Sequence, residues 1–227
     1  MKGKSKKAKQ VLIVDDHPMM REGLAQLINR EKDLAVAGEA DSAARAVEQT
    51  AHLKPDLVIV DITLPGRSGL DLIRDLHAVH PAALVLVVSM HEESLYAERV
   101  LRAGGRGYVM KQAGGKKLME AIRQVLGGQI YVSADTSARI LETFSRTGGE
   151  APATGGVHSL SDREFEIFQL IGQGENTRDI AKKLNLSVKT VEVHRLNIKG
   201  KLRLTTASEL IHFAVRWMQS NPAASGN

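Results

Sequence analysis

Val11-Leu12-Ile13-Val14-Asp15-Asp16 and Leu57-Val58-Ile59-Val60-Asp61 follow one pattern: four apolar residues closed by acid. Neither run alternates in polarity. Each therefore reads as a short strand buried on both faces, as in a parallel sheet. An open α/β sheet binds ligands at the carboxyl ends of its strands. If the two strands are neighbours, three carboxylates converge there. Like charges that close repel unless a cation or a shared proton intervenes. A hard cation such as Mg²⁺ takes oxygen ligands and pairs with phosphate, which makes it the expected cofactor. The plainer alternative is that each acid caps the helix after its strand.

Outward from these runs, strand and helix signals alternate from Gln10 to about Gly127. Strands are predicted at 10–15, 34–39, 56–61, 84–89 and 106–110. Helices are predicted near 18–30, 42–52, 69–79, 92–103 and 114–127. Pro18 sits where a first helical turn tolerates proline. Five βα repeats predict an α/β fold, a five-stranded doubly wound parallel sheet with helices on both faces. Ser89 ends the fourth strand and Lys111 follows the fifth, so both can face the crevice of Asp15, Asp16 and Asp61. These residue types suit phosphoryl transfer. An aspartate can be the nucleophile, a metal can neutralise developing charge, and a lysine supplies a point charge. A serine hydroxyl can bond a further phosphoryl oxygen. His17 and His91 flank the crevice. Histidine suits softer metals than Mg²⁺, so both read as loop residues.

The second half has a different pattern. Residues 134–146 can form one more helix, and the Gly-rich stretch 147–157 reads as a flexible linker. Ser161-Asp162-Arg163-Glu164 is a capping box opening a helix, which Gly172 and Gly174 are expected to break. Residues 177–202 have helix-turn-helix spacing: a helix at 177–184, a turn at Asn185-Leu186-Ser187, and a longer helix from 188 to about 202. Thr206-Ala207-Ser208-Glu209 is a second capping box, opening a final helix that ends before Pro222. At 100° per residue, Val191, Ile198, Leu202 and the stem of Arg195 share the inward side of the long helix. Lys189, Val193, Leu196 and Gly200 share the opposite side, flanked by Thr190, Glu192, Asn197 and Lys201. That side suits a DNA major groove. Val193 and Leu196 would meet thymine methyls, and Lys189 a guanine edge. Thr177, Arg178, Lys182, Lys199 and Lys201 would reach phosphates from the edges.

Composition agrees with two parts that have different partners. Hydrophobic residues make up 43% and charged residues 25%, as in ordinary globular protein. No apolar run approaches the ~20 residues that span a bilayer, and zero cysteines exclude disulfides and thiolate metal sites. No membrane association is expected, and the expected setting is the cytoplasm. Residues 1–9 hold five lysines and no acid; residues 10–128 hold 14 basic and 16 acidic residues; residues 158–227 hold 10 basic and seven acidic. An acidic front and a basic back imply distinct partners. The basic tip reads most simply as a solubilising tail.

Asp15-Asp16, Asp61-Ile62-Thr63-Leu64-Pro65-Gly66, Ser89-Met90-His91 and Gly107-Tyr108-Val109-Met110-Lys111 together resemble a response-regulator receiver domain of flavodoxin-like fold. Leu160-Ser161-Asp162-Arg163-Glu164, Gly174, Asp179-Ile180-Ala181 and the run Ser187 to Arg195 resemble the all-α, four-helix LuxR-type DNA-binding domain. The whole chain resembles the NarL/FixJ family of two-component transcription factors. The resemblance implies a basic tail at 1–9, a receiver at 10–128, a linker at 129–157, a DNA-binding domain at 158–220 and a tail at 221–227. It implies Asp61 as phosphoacceptor, with Mg²⁺ held by Asp16, Asp61 and the carbonyl of Thr63, assisted by Asp15. It implies Ser89 and Tyr108 as a switch pair drawn inward on phosphorylation, and Lys111 as the phosphate-pairing cation. The implied partners are a sensor histidine kinase, double-stranded DNA, RNA polymerase and a second copy of the chain.

Two departures stand out. Gln112 replaces the proline that often follows the lysine, so no cis peptide is expected there. Gly200 stands where relatives usually carry a long basic residue. One rival reading is a haloacid-dehalogenase-like phosphatase. That class carries a second acid two residues after its nucleophile, where this chain has Thr63, and a cap domain for which there is no room. The chain is therefore expected not to be a turnover enzyme. A second rival, a constitutive DNA-binding protein, should have a degraded acidic site, yet all five key side chains are present.

Overall fold

The computed structural model describes residues 8–65, 67–147 and 156–221. Residues 1–7, Gly66, 148–155 and 222–227 lie outside it, and with them most of the predicted basic tail and C-terminal tail and the Gly-rich part of the linker. The chain divides into two compact units, Met1–Ser133 and Ala134–Asn227.

The first unit alternates strand and helix: β1 (Lys9–Val14), α1 (Pro18–Asn29), β2 (Leu34–Ala40), α2 (Ala43–Leu53), β3 (Leu57–Val60), α3 (Gly69–Val79), β4 (Leu84–Ser89), α4 (Glu93–Arg102), β5 (Gly107–Met110) and α5 (Gly114–Leu126). All strand pairs are parallel, in the order β2-β1-β3-β4-β5. The unbroken apolar runs have their predicted cause: Val11 to Val14 and Leu57 to Val60 are each at most 1% exposed, covered on both faces. Successive residues point to opposite faces. Val11, Ile13, Leu57, Ile59, Leu86 and Val88 pack with Leu24 and Ile28 of α1 and Leu118, Ile122 and Val125 of α5. The other face carries α2, α3 and α4.

Register positions the site. Val14 pairs with Val60, so Asp15 and Asp61 emerge side by side. The Asp61 amide donates to the Val14 carbonyl at 2.9 Å. Ser89 pairs with Met110, which brings Lys111 to the same end of the sheet. The order reverses between β1 and β3, making this end the topological switch point of the fold.

The sequence reading assigned residues 129–133 to the linker; they belong to the first unit. Tyr131 forms a parallel bridge to Gly107 and packs against the core. Its amide donates to the Arg106 carbonyl at 3.0 Å, and its carbonyl accepts from the Tyr108 amide at 2.9 Å. This segment covers the open edge of β5. Among the described residues there is no cis peptide.

The second unit is helical: α6 (Ala134–Thr147), α7 (Asp162–Gly172), α8 (Thr177–Lys183), α9 (Val188–Leu202) and α10 (Ala207–Ser220). Both predicted capping boxes form, at Ser161/Glu164 and Thr206/Glu209. Phe168, Ile180, Val191, Ile198, Leu210 and Ala214 are fully buried. Gly172 is the last residue of α7, where the helix is expected to break, and it has a second role. A Cβ there would lie 2.5 Å from Met218 Cγ and 3.0 Å from the Ala214 carbonyl oxygen, so glycine lets α7 and α10 approach closely. Gly174, at φ +87°, makes the break.

Candidate functional site

The end of β1 and the end of β3 bring carboxylates together. Oxygens of Asp15, Asp16 and Asp61 and a ring nitrogen of His17 all lie within 4.8 Å of one another. Asp15 and Asp61 are 2% and 3% exposed. Lys111 Nζ, itself almost buried, lies 2.7 Å from Asp15 Oδ2 and 2.7 Å from Asp61 Oδ2. The remaining oxygens are held by backbone: Asp15 Oδ1 accepts from the His17 amide and Asp61 Oδ1 from the Thr63 amide. Burial pushes the Asp61 carboxyl above its usual range, Lys111 pulls it down, and the Asp15 charge adds to the upward push; the net direction is up. Burial acts to depress the Lys111 ammonium, but Asp61 and Asp15 outweigh it and hold it above the usual lysine value.

Asp16 Oδ1 is buried with no hydrogen-bond partner. His17 Nδ1 lies 2.9 Å from it, off the line of a hydrogen bond. An orphaned carboxylate oxygen beside two buried carboxylates is a donor set that fits a hard divalent cation. His17 also reaches Asp15 Oδ1, at 3.1 Å, so it is bound to the acids more closely than a plain loop residue.

Ser89 and Tyr108 lie beyond the carboxylates, 0% and 1% exposed. Tyr108 lies inside the protein, the position expected of it on phosphorylation. Its hydroxyl donates to the His91 carbonyl at 2.7 Å, and the His91 amide donates to Ser89 Oγ at 3.2 Å. The apolar surroundings that bury Tyr108 push its ionisation far up, so the phenol stays neutral. His91 is the residue that sequence reasoning undervalued. Its ring stacks on Tyr96 at 4.8 Å, and its Nε2 lies 3.0 Å from Thr63 Oγ1. Burial, then the nearby Lys111 charge, hold that ring below the usual histidine pKa. Only the tertiary fold brings Thr63 and His91 together.

In the second unit, the turn between α8 and α9 passes through Asn185 at φ +51°, a conformation asparagine tolerates. Ser187 Oγ caps α9 by accepting from the Thr190 amide at 3.0 Å, and it also touches the Thr190 hydroxyl. Val191 and Ile198 are buried, while Val193 and Leu196 stand 51% and 63% exposed. Lys189, Glu192 and Asn197 are exposed beside them; Thr190, Arg195 and Lys199 are half-buried. Arg178 is exposed and Thr177 half-buried at the start of α8. Gly200 has nothing within 4 Å of where a Cβ would be. Lys201, expected to contact phosphate, has an ion pair within its own unit. Its ammonium is drawn back 2.6 Å onto Glu164 of the α7 capping box, a carboxylate that needs a cation because it is only 4% exposed.

Comparison with known proteins agrees with this division. The response regulator receiver domain model matches residues 11–123, and the model for bacterial regulatory proteins of the luxR family matches residues 158–214. The chain is 36% identical to the response regulator GacA of Pseudomonas aeruginosa, over 91% of this chain and 95% of that protein. It is 33% identical to the oxygen regulatory protein NreC of Staphylococcus haemolyticus, over 91% and 97%. Among solved structures it is similar to RcsB of Salmonella enterica serovar Typhimurium bound to promoter rprA with the phosphomimetic BeF3−. That match has a TM-score of 0.60 and 25% identity, covering 92% of this chain and 99% of that one. Both halves and their order are thus matched along nearly the whole chain, which belongs to the NarL/FixJ family of two-component response regulators, a receiver domain followed by a LuxR-type helix-turn-helix domain.

Proposed function

We propose that Asp61 accepts a phosphoryl group from the phosphohistidine of a sensor kinase, and that this controls sequence-specific DNA binding by α9 and hence transcription. The observation that carries this reading is the placement of Lys111 Nζ 2.7 Å from both Asp15 and Asp61, beside the orphaned Asp16 oxygen. A carboxylate oxygen of Asp61 attacks phosphorus; the O–P bond forms as the P–N bond to the donor histidine breaks, and the imidazole leaves with its electron pair. Asp16, Asp61 and the Thr63 carbonyl, with Asp15 beside them, would hold Mg²⁺, which when bound neutralises charge on the transferred group. Lys111 takes a second phosphoryl oxygen and Ser89 Oγ a third.

The response to phosphate draws in Ser89, Tyr108 and the β4–α4 turn, and the buried position of Tyr108 supports that end state. Thr63, whose amide donates to Asp61 Oδ1, and its partner His91 set how readily water reaches the acyl phosphate. In the second unit, Val193, Leu196 and Lys189 read base edges. Thr177, Arg178, Thr190, Asn197 and Lys199 contact the backbone around them, and Glu192 and Arg195 flank the reading face. Lys201 serves the fold instead. Two copies bound to adjacent half-sites, with RNA polymerase as the downstream partner, complete the reading. Among the described residues no helix is long and apolar enough to cross a membrane, in keeping with a cytoplasmic setting.

Phosphotransfer tests the first half directly. Incubation with acetyl phosphate and Mg²⁺, followed by hydride trapping and peptide mass mapping, places the label on Asp61. Label at another residue, or undiminished label in Asp61→Ala, contradicts the assignment.

A further inference from the structure

The segment leading out of the first unit is fastened to two elements beside the phosphoacceptor site. Its first anchor is strand-like: the Tyr131 carbonyl accepts from the Tyr108 amide at 2.9 Å. Gly107 makes that approach possible, since a Cβ there would lie 2.9 Å from the Tyr131 carbonyl oxygen and 3.1 Å from Tyr131 Cβ. Its second anchor is a side chain of α4: Glu93 Oε1 accepts from the Ser133 amide at 2.6 Å. Gln124 of α5 adds a third, donating to the Ile130 carbonyl at 2.7 Å. Ser133 directly precedes α6, the first helix of the second unit. Chain connectivity alone therefore joins the backbone of Tyr108 and the first turn of α4 to the start of the DNA-binding half.

We infer that Glu93 is a coupling residue: it clamps Ser133 to the first turn of α4, so that a rearrangement of the β4–α4 turn and β5 is passed to α6 through residues 129–133. The inference rests on the reading of Asp61 as a phosphoacceptor that controls DNA binding. A charge-assisted bond from a carboxylate to a backbone amide is stronger than a neutral one, which suits a clamp at a chain boundary. Glu93 touches neither the carboxylates nor Lys111, and Ser133 contributes its amide rather than its side chain. The clamp is therefore separable from the chemistry. The route is a short physical connection of hydrogen bonds and covalent chain.

The test uses the full chain as wild type, Glu93→Ala and Glu93→Gln, each with and without BeF3− and Mg²⁺. Three quantities are read: phosphate incorporated from acetyl phosphate, amide exchange of the peptide spanning 129–133, and the gain in DNA affinity on activation. In Glu93→Ala, incorporation stays at the wild-type level, exchange at Ser133 rises about fivefold or more, and the gain in affinity falls about threefold or more. Glu93→Gln, which keeps an acceptor oxygen, retains most of the protection and of the gain. Full retention of protection and gain in Glu93→Ala overturns the coupling role while leaving the phosphorylation reading intact. A wild-type protein that gains no affinity on activation overturns both, and is told apart because the failure is already present without a substitution. If Glu93→Ala lowers phosphate incorporation, Glu93 belongs to the chemistry and the clamp is likewise overturned.

Discussion

Lys111 Nζ stands at 2.7 Å from Asp61 Oδ2 and at the same distance from Asp15 Oδ2, so one ammonium balances two buried carboxylates. A divalent cation bound at the same carboxylates must tolerate that ammonium. Repulsion between a double and a single charge a few ångströms apart exceeds about 1.4 kcal/mol even at an effective dielectric near 20. Lys111→Met is therefore expected to bind Mg²⁺ about tenfold more tightly in a calorimetric titration, and to incorporate less phosphate from acetyl phosphate. Weaker Mg²⁺ binding in that variant contradicts the shared site.

Glu164 gives the DNA-binding half a defined acid response. Burial pushes its carboxyl up, but the bond from Lys201 and the Ser161 amide outweigh it and hold it below the usual 4.5. A carboxylate with a depressed folded pKa contributes stability that is fully present above about pH 4.5 and is lost as pH falls through the lower folded value. Glu164→Gln is expected to cost about 1 kcal/mol at neutral pH and to flatten the stability profile below pH 4.5. Trp217, the sole tryptophan, packs edge-on against Phe165 and Phe168 and reports the unfolding by fluorescence. An unchanged acid profile counts against the Glu164–Lys201 pair.

Replacing a helical glycine by alanine ordinarily stabilises, by up to roughly 0.5–1 kcal/mol inside a helix. Gly172 should reverse that sign. The Ala214 carbonyl, 3.0 Å from the added Cβ, is backbone and cannot turn aside, so Gly172→Ala is expected to lose about 1–3 kcal/mol. A rise in the thermal midpoint of the Trp217 signal would mean that the α7–α10 contact is looser than described.

Charge and shape on α9 make separable contributions. Lys189→Ala should weaken binding and, if it also meets phosphate, lower the salt slope by about one. Val193→Ala should leave the slope unchanged and relax preference at one base position by about 1–3 kcal/mol. Binding isotherms at several salt concentrations on matched and mismatched sites separate the two. A Val193 effect uniform across sequences would remove it from the reading face.

The sheet was legible because its signals are local. Four-residue apolar runs ended by acid give strand, burial and site together, and register does the rest once Val14 pairs with Val60. Both capping boxes were legible for the same reason. Contacts between distant residues were not. Thr63 meets His91 across 28 positions and Glu164 meets Lys201 across 37, and no local pattern announces either. The helical wheel placed Lys201 beside the reading face but had no knowledge of a buried carboxylate behind it. Gly172 ends its helix as expected, but its close approach to α10 has no local signature. Residues 129–133 did carry a signal: Ile130-Tyr131-Val132, after Gly127-Gly128, is a short β-prone run that the Gly-rich stretch further on overshadowed.

If the chemical state of Asp61 decides what α9 binds, DNA selection from random sequence shows it when run in parallel with the phosphorylated full chain and with Asp61→Ala. The phosphorylated protein is expected to enrich a two-half-site motif, and Asp61→Ala to lose or strongly weaken that enrichment. Equal enrichment of the same motif by both proteins would contradict it and leave a DNA-binding protein whose acidic site plays no part in recognition.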